Sequence, residues 1–347
     1  MAKRLSIRDI ATELNISKTT ISFILNGKAK EKRISDELAE RVVKYAAQRE
    51  YKPNQLAKSL STGKTMIIGL MVENISDYFF AQVAYHIEEL AYKNGYRIIY
   101  CSTDNDLQKT KGLIRLFRER HVDGYIITPP SGIENDIQEL IDDGLPVVLF
   151  DRYLRGVDSS YVVLDNYKAS YDAAKYLTKK GFKNIAFLEL DSNQVQMQDR
   201  REGYQKALAE RDLPLLIKAI PFNSDFDHKV KEMVKFIKKN PQIDAIFFAT
   251  NYLAFSGIKA MNQLKINTPD GIAIVAFDDH EVFNIYSPSI TAVAQPIQKL
   301  ALQSINALLN MLNAKGDSKK TEKIEVAAEL IIRDSTKRKF HCESNIS

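Results

Sequence analysis

Along the first sixty residues, apolar side chains recur at the spacing of short helices. Ile7, Ile10, Ala11 and Leu14 fall on one helical face, and Ser6 with Asp9 three residues later makes a capping-box start, in which each side chain takes up the other's free amide. Asn15 and Ile16 interrupt the pattern, Ser17 can cap a second helix, and Ile21, Ile24 and Leu25 repeat the spacing until Asn26-Gly27 ends it. Ser35 opens a third helix with Asp36 and Glu37 at its positive end, and Leu38, Val42, Tyr45 and Ala46 supply the face that closes a small core. Lys52-Pro53-Asn54 forces a break, and Asn54 can cap one more short helix over 55–61, with Leu56 and Leu60 on one side and Gly63 beyond. A helix of about seven residues is unstable alone because nucleation is costly, so it is expected to order only against DNA or a partner copy.

From residue 65 the period changes. Short apolar runs at 66–72, 97–101, 125–128, 147–150, 162–164, 185–190, 245–249 and 272–277 alternate with helical patterns. Continuous apolar strands separated by helices are the pattern of parallel sheets covered on both faces. About 275 residues exceed what one core usually holds, so an all-α head is expected to precede an α/β body of two doubly wound parallel-sheet subdomains.

Charge is unevenly spread. Residues 1–64 carry 14 Lys+Arg against 7 Asp+Glu, whereas 65–347 carry 35 against 37, so the net +5 of the chain comes from its first fifth. A basic head of that size is an electrostatic footprint for a polyphosphate, and two helices joined by so short a turn match a helix-turn-helix. With Ile21, Ile24 and Leu25 turned inward, the second helix presents Lys18, Thr19, Ser22, Phe23 and Asn26 outward. Phe23 can meet a thymine methyl in the major groove or fold back on the core, while Ser17, Thr20, Ser22 and Asn26 are small donors suited to phosphate oxygens. Leu60, beside Lys58 and Ser59, can wedge into a base step if the resulting bend gains other contacts, or pack as an ordinary linker residue.

Enzymatic chemistry has no visible carrier. Phosphate-loop, dinucleotide and nucleophile-elbow motifs are absent; Cys101 and Cys342 are too few and too far apart for a disulfide framework, and the five histidines lack metal-ligand spacing. No cofactor and no metal are expected. Met1-Ala2-Lys3-Arg4 leads directly into the first helix, with no membrane-spanning run or cleavable leader, so a cytoplasmic chain without a membrane partner is expected. The end of the chain after Ser335 reads as a frayed tail. Ligands of parallel sheets sit at the carboxyl ends of the strands, which nominates Asp104, Thr128, Asp151, Glu189, Asp191, Thr250 and Asp278. Carboxylates in a cleft accept hydroxyl donors and an Arg donates in return, a demand that a polyol or sugar meets; any one of these residues could equally be a solvated strand end or helix cap.

The run Ser17 to Gly27, followed by Tyr51-Lys52-Pro53-Asn54-Gln55-Leu56-Ala57-Lys58-Ser59-Leu60, resembles the head and hinge of the lactose-repressor/galactose-repressor (LacI/GalR) family of bacterial transcription regulators. Asp278-Asp279 and Glu329 to Thr336 extend the resemblance over nearly the whole chain. It implies that the second helix reads bases through Lys18, Thr19 and Phe23, and that Asn54, Ala57, Lys58 and Leu60 form the hinge, with Leu60 in the minor groove. Family members more often have Arg at the Phe23 position, so a guanine contact is not implied. For the body it implies a type I periplasmic-binding-protein fold, crossing between subdomains near Leu164, Thr291 and Lys323. The expected boundaries are a head at 1–52, a hinge at 53–64, a core at 65–340 and a tail at 341–347. Within the core, 65–163 joins 292–322, and 164–291 joins 323–340.

Asp151, Arg200 and Asp278 fall where the family binds its effector. Phe79 and Phe80 fall where it lays rings against the ligand, or where a helix start packs into a core. The family's usual Asn at one pocket position is Thr250 here, with Gln196 or Gln198 near enough to compensate, and Arg200 could also pair with Glu189 or Asp199. The whole reads as a homodimeric repressor of a pseudo-palindromic double-stranded DNA site, controlled in either sense by a small molecule, a sugar or sugar derivative. Ligand would close the cleft and change whether paired hinges form on DNA. A solute-binding protein would share the body without the basic head, and a sugar-processing enzyme would use Asp151 and Asp278 as acid and base.

Overall fold

The computed structural model describes residues 5–51, 59, 62–314 and 320–337, and the chain divides at Met66 into two compact units. In the first, α1 (Ile7–Leu14), α2 (Lys18–Leu25) and α3 (Asp36–Gln48) surround Ile10, Ile21, Ile24, Val42 and Ala46. Each helix starts where a side chain can take up a free amide. Ser6 and Asp9 close both bonds of the capping box, Ser17 accepts from the Thr20 amide, and Ser35 accepts from that of Leu38. Asn15 ends α1 in the left-handed region at φ 52°, a conformation Asn tolerates, and the chain turns directly into α2. Arg41 donates to the Leu14 carbonyl at 2.9 Å and ties α3 to that turn. Asn54, Ala57, Lys58 and Leu60 lie outside the described residues.

The second unit holds two six-stranded sheets. The first contains β1 (Ile67–Val72), β2 (Arg97–Ser102), β3 (Gly124–Ile127), β4 (Val147–Phe150), β5 (Ser160–Leu164) and β11 (Lys323–Val326), in the order β11-β5-β4-β3-β1-β2, all parallel. Helices α4 (Tyr78–Lys93), α5 (Leu107–Glu119), α6 (Glu134–Asp142) and α12 (Ile297–Asn313) cover it. The second contains β6 (Ile185–Asp191), β7 (Leu216–Pro221), β8 (Ala245–Phe248), β9 (Ala273–Phe277), β10 (Thr291–Ala294) and β12 (Glu329–Ile331), in the order β12-β10-β9-β8-β6-β7. It is parallel except for β12, which runs antiparallel to β10. Helices α7 (Asn166–Lys179), α8 (Val195–Ala209), α9 (Phe226–Lys239) and α10 (Asn251–Gln263) cover this sheet, and the short α11 (Glu281–Ile285) follows β9. Interior strands such as β4, β8 and β9 are buried at every position, which is why they read as unbroken apolar runs.

The chain leaves the first sheet after Leu164. The other two crossings fall later than the resemblance implied. Residues 292–294 stay in the second sheet, because Thr291, Ala292 and Val293 pair with β9, and the return follows Ala294. Residues 323–326 belong to the first sheet, where Ile324 and Val326 pair with Val162 and Leu164 and bury the edge beside α12; the last crossing lies between Val326 and Glu329.

Helix α8 lies unusually close to α7. A Cβ on Gly203 would stand 2.2 Å from the Tyr167 carbonyl oxygen, a backbone atom that cannot swing aside, whereas a Cβ on Gly112 in α5 would meet nothing within 4 Å. Gly203→Ala is therefore expected to lower stability by about 1–3 kcal/mol or more through overpacking. Gly112→Ala is expected to raise it by about 0.5–1 kcal/mol, by removing the backbone freedom of an unconstrained helix-interior glycine. Denaturant unfolding of the two variants checks the opposite signs.

Candidate functional site

The carboxyl ends of the two sheets face one cavity that is partly open to solvent. Its border brings together Asp151 after β4, Thr250 after β8, Asp278 after β9, Arg200 of α8, and Phe79 and Phe80 at the start of α4. Asp151 and Asp278 both have left-handed backbones, φ 69° and 66°. Non-glycine residues enter that region at a cost of about 1 kcal/mol or more, and such strain collects at sites that need a particular side-chain aim. Phe79 and Phe80 pack as the start of a helix does and also border the cavity. They are 8% and 6% exposed, and Phe79 stacks on Phe150 with centroids 5.9 Å apart.

Arg200 is 3% exposed and held on several sides. Its Nε donates to Asn166 Oδ1 at 2.8 Å, its Nη1 to the Ala249 carbonyl at 2.7 Å, and its Cζ sits 3.6 Å above the Phe277 ring centre. Asp278 Oδ2 lies 3.5 Å from Nη1, and Gln295 donates to Asp278 Oδ1 at 2.6 Å. These bonds engage Nε and Nη1, and Arg200 borders the cavity. Arg200 pairs with neither Glu189 nor Asp199; it is Arg201 that bonds Glu189, at 2.9 Å from Nε to Oε2.

A second buried guanidinium stands on the first sheet's side. Arg152 donates to Glu73 at 2.6 Å, Asp151 at 3.1 Å and Asn105 at 3.2 Å. Burial disfavours its charge, but Glu73 and then Asp151 more than compensate and hold it protonated. Burial also pushes Asp151 up, against the pull of Arg152 and Arg200. Asp77 caps α4, its Oδ1 accepting from Phe79 N at 2.9 Å and Phe80 N at 3.4 Å. Burial, and then Asp278, push its carboxyl up to about 6, against the two capping amides. Thr250 is the cap of α10, its hydroxyl accepting from Leu253 N at 3.3 Å. Gln196, 5% exposed, leaves Oε1 without a hydrogen-bond partner at the cavity's border.

Asp104, Thr128, Glu189 and Asp191 are not part of this border. Asp104 pairs with Lys109 at 2.5 Å, Glu189 turns to Arg201, and Thr128 is fully buried. The strand-end rule should have found Glu73, which directly follows β1. Arg152 adjoins Asp151 and was equally within reach. Gln295 follows β10, a strand that the apolar pattern did not disclose, so nothing pointed to it.

In the head, Lys18 and Thr19 are exposed on α2, and Phe23 is half-buried outside the three-helix core, with Lys32 Nζ 5.4 Å from its ring centre. The small polar side chains already hold local bonds. Ser17 and Thr20 hydroxyls lie 2.8 Å apart at the cap, and Asn26 Nδ2 donates to the Ser22 carbonyl at 2.8 Å.

The profile of bacterial regulatory proteins of the lacI family matches residues 6–54, and that of the periplasmic binding protein-like domain matches 174–336. The HTH-type transcriptional regulator RegA of Clostridium saccharobutylicum is 30% identical over 339 residues, covering 95% of this chain and 99% of that protein. The chain belongs to the LacI family of bacterial regulatory proteins. The ribose operon repressor of Halalkalibacterium halodurans is 28% identical, over 96% of this chain and 97% of its own. Among solved structures, a LacI transcriptional regulator from Alkaliphilus metalliredigens in complex with D-xylulofuranose is 27% identical, with a TM-score of 0.67 over 79% of this chain and all of that one. As a LacI-family member the chain is a DNA-binding transcription regulator and not an enzyme. No helix among the described residues is long and apolar enough to cross a membrane.

For this LacI-family body, the raised Asp77 carboxyl predicts a pH dependence of stability. A carboxyl raised in the folded chain adds stability that is fully present below the ordinary range near about 4 and is lost as the pH rises through about 6. Asp151 and Asp199 are raised as well and act in the same direction. The ligand-free protein is expected to melt at a higher temperature at pH 5.5 than at pH 7.5. Asp77→Asn keeps a capping oxygen and should lose part of that difference; an undiminished difference contradicts the assignment.

Proposed function

We propose that the chain is a cytoplasmic repressor that binds a pseudo-palindromic double-stranded operator as a homodimer, and that a hydroxyl-rich small molecule in the cleft, a sugar or sugar derivative, sets its operator affinity. The observation that carries this reading is the convergence of Asp151, Arg200, Thr250 and Asp278 on one cavity between two sheets that the chain crosses three times. The names of two similar proteins, a ribose operon repressor and a complex with D-xylulofuranose, agree with a sugar. Tyr85 and Tyr92, 62% and 58% exposed on one face of α4, offer apolar surface for a second copy.

Ligand bound to both walls favours the closed cleft, and a closed cleft alters how two bodies meet and whether two copies of the 53–64 segment can order together on DNA. This works only through different ligand affinity for the two states. Lys18, Thr19 and Phe23 take base edges, Ser17, Thr20, Ser22 and Asn26 take phosphate, and Asn54, Ala57, Lys58 and Leu60 belong to the minor-groove segment.

Thr19→Ala and Phe23→Ala are expected to cost about 1–3 kcal/mol each in operator binding, as lost base contacts do, with a much smaller loss on random duplex. Leu60→Ala should likewise weaken specific binding far more than non-specific binding, because only a fitted site gains from the bend. Fluorescence anisotropy on operator and random duplexes measures both; equal losses on the two contradict the assigned roles.

A further inference from the structure

Four carboxylates border the cavity, Glu73, Asp77, Asp151 and Asp278, against two guanidinium groups that are already engaged. Arg152 is bonded to Glu73 and Asp151, while Arg200 is fixed by Asn166 and the Ala249 carbonyl, with Asp278 at 3.5 Å. Fully ionised, the border carries two negative charges in excess. Among the described residues Asp77 forms no ion pair, and its Oδ1 is already committed to the Phe79 and Phe80 amides.

The surroundings have the same sign. The neighbouring opening beside α11 adds Asp279 and Glu281 against Arg333, and Asp279 neutralises that Arg with bonds of 2.7 and 2.8 Å. On the other side, a pocket at the first crossing is bordered by Asp165, Asp199, Glu202 and Glu325, with no Lys or Arg among its lining residues. A cleft walled by one sign of charge focuses its field and concentrates the opposite ion.

An independent observation asks for a donor. Gln196 is 95% buried, its Nε2 is bonded to Gln194 Oε1 at 3.2 Å, and its Oε1 has no partner at the cavity border. A buried acceptor left unmade is costly, so the molecule that fills this cavity should donate there.

We propose that the ligand of this cleft is an amine-bearing polyol, an amino sugar or amino alcohol, whose ammonium is held by Asp77 and Asp278 and whose hydroxyls meet Asp151, Gln196 and Arg200. The proposal rests on the reading of this cavity as the effector site. An ammonium has three donors and no acceptor, so it answers both the excess charge and the surplus of acceptors. A neutral sugar leaves the excess charge in place. A phosphorylated or carboxylated sugar adds to it.

The test is calorimetry on the full chain at pH 7.5 with matched sets: glucose, glucosamine, N-acetylglucosamine, glucose 6-phosphate and gluconate, the galactose and mannose equivalents, and ribitol beside 1-amino-1-deoxyribitol. At least one amine is expected to bind ten-fold or more tighter than its neutral counterpart, and N-acetylation should remove the advantage. Asp77→Asn should shrink that advantage ten-fold or more. A neutral or anionic member that binds as tightly as its amine, or an advantage that survives Asp77→Asn, overturns the proposal. If a neutral sugar alone binds, and Asp278→Asn abolishes it, the amine is wrong and the effector site stands. If no member binds at all, both fall.

Discussion

A guanidinium withdrawn from water must be met by fixed acceptors, and Arg200 imposes that requirement on the second half of the body. Its partners come from places far apart in sequence: Asn166 at the first crossing, the Ala249 carbonyl at the end of β8, and Asp278 at the end of β9, with Phe277 beneath its face. Satisfying one charge therefore sets the relative positions of the strand ends that border the cavity. Gly203, one turn further along α8, is the steric counterpart, because only a missing Cβ lets α8 come close enough to α7 for Arg200 to reach Asn166.

The first half solves the same problem separately, with Arg152 among Glu73, Asp151 and Asn105. The two charge sets meet across the cavity, where Asp77 and Asp151 of one wall face Asp278 of the other. Gln295 directly follows β10, on the segment returning between the sheets, and bonds Asp278 directly. At the cleft mouth Tyr78 of α4 reaches the opposite wall, with its ring 4.6 Å from that of His280 and its hydroxyl 3.3 Å from Glu281. A cleft that joins like charges from two walls is biased against closing without a ligand, and one that bonds both walls reverses the bias. Such a difference in affinity is the only way a small molecule can shift the equilibrium.

Much of this was legible in the sequence, for identifiable reasons. The three head helices follow from Ser6, Ser17 and Ser35 as caps and from i, i+3, i+4 apolar spacing. All eight strands read from continuous apolar runs exist. Of the four that were not read, β7, β11 and β12 are sheet edges, where half-exposure admits polar residues such as Lys218, Lys323 and Glu329 and breaks the run; β10 is interior, but Ala292 and Ala294 are weak strand formers and blur its pattern. The late crossings have the same origin, since they are set by those strands. At the site, motif and strand-end reasoning nominated six residues that border one cavity; Glu73 and Arg152 adjoin strand ends and lay within its reach, whereas Asp77 follows no strand and its burial is a tertiary fact. Thr250 keeps its hydroxyl occupied as a helix cap, which its sequence position alone did not disclose.

In the proposed function, occupancy of this cavity controls binding of DNA by the head. The direct measurement is to recover tightly bound duplexes from fragmented genomic DNA of the source organism with purified protein at near-physiological salt. The affinity for the enriched sequence is then measured with and without the small-molecule fraction of a cell extract, for the wild type and for Asp278→Asn. A pseudo-palindromic sequence is expected whose affinity for the wild type shifts by about ten-fold or more with the extract, within the usual range of allosteric coupling, while Asp278→Asn binds the same DNA and does not respond. No enriched sequence, or an equal response from both proteins, would contradict it.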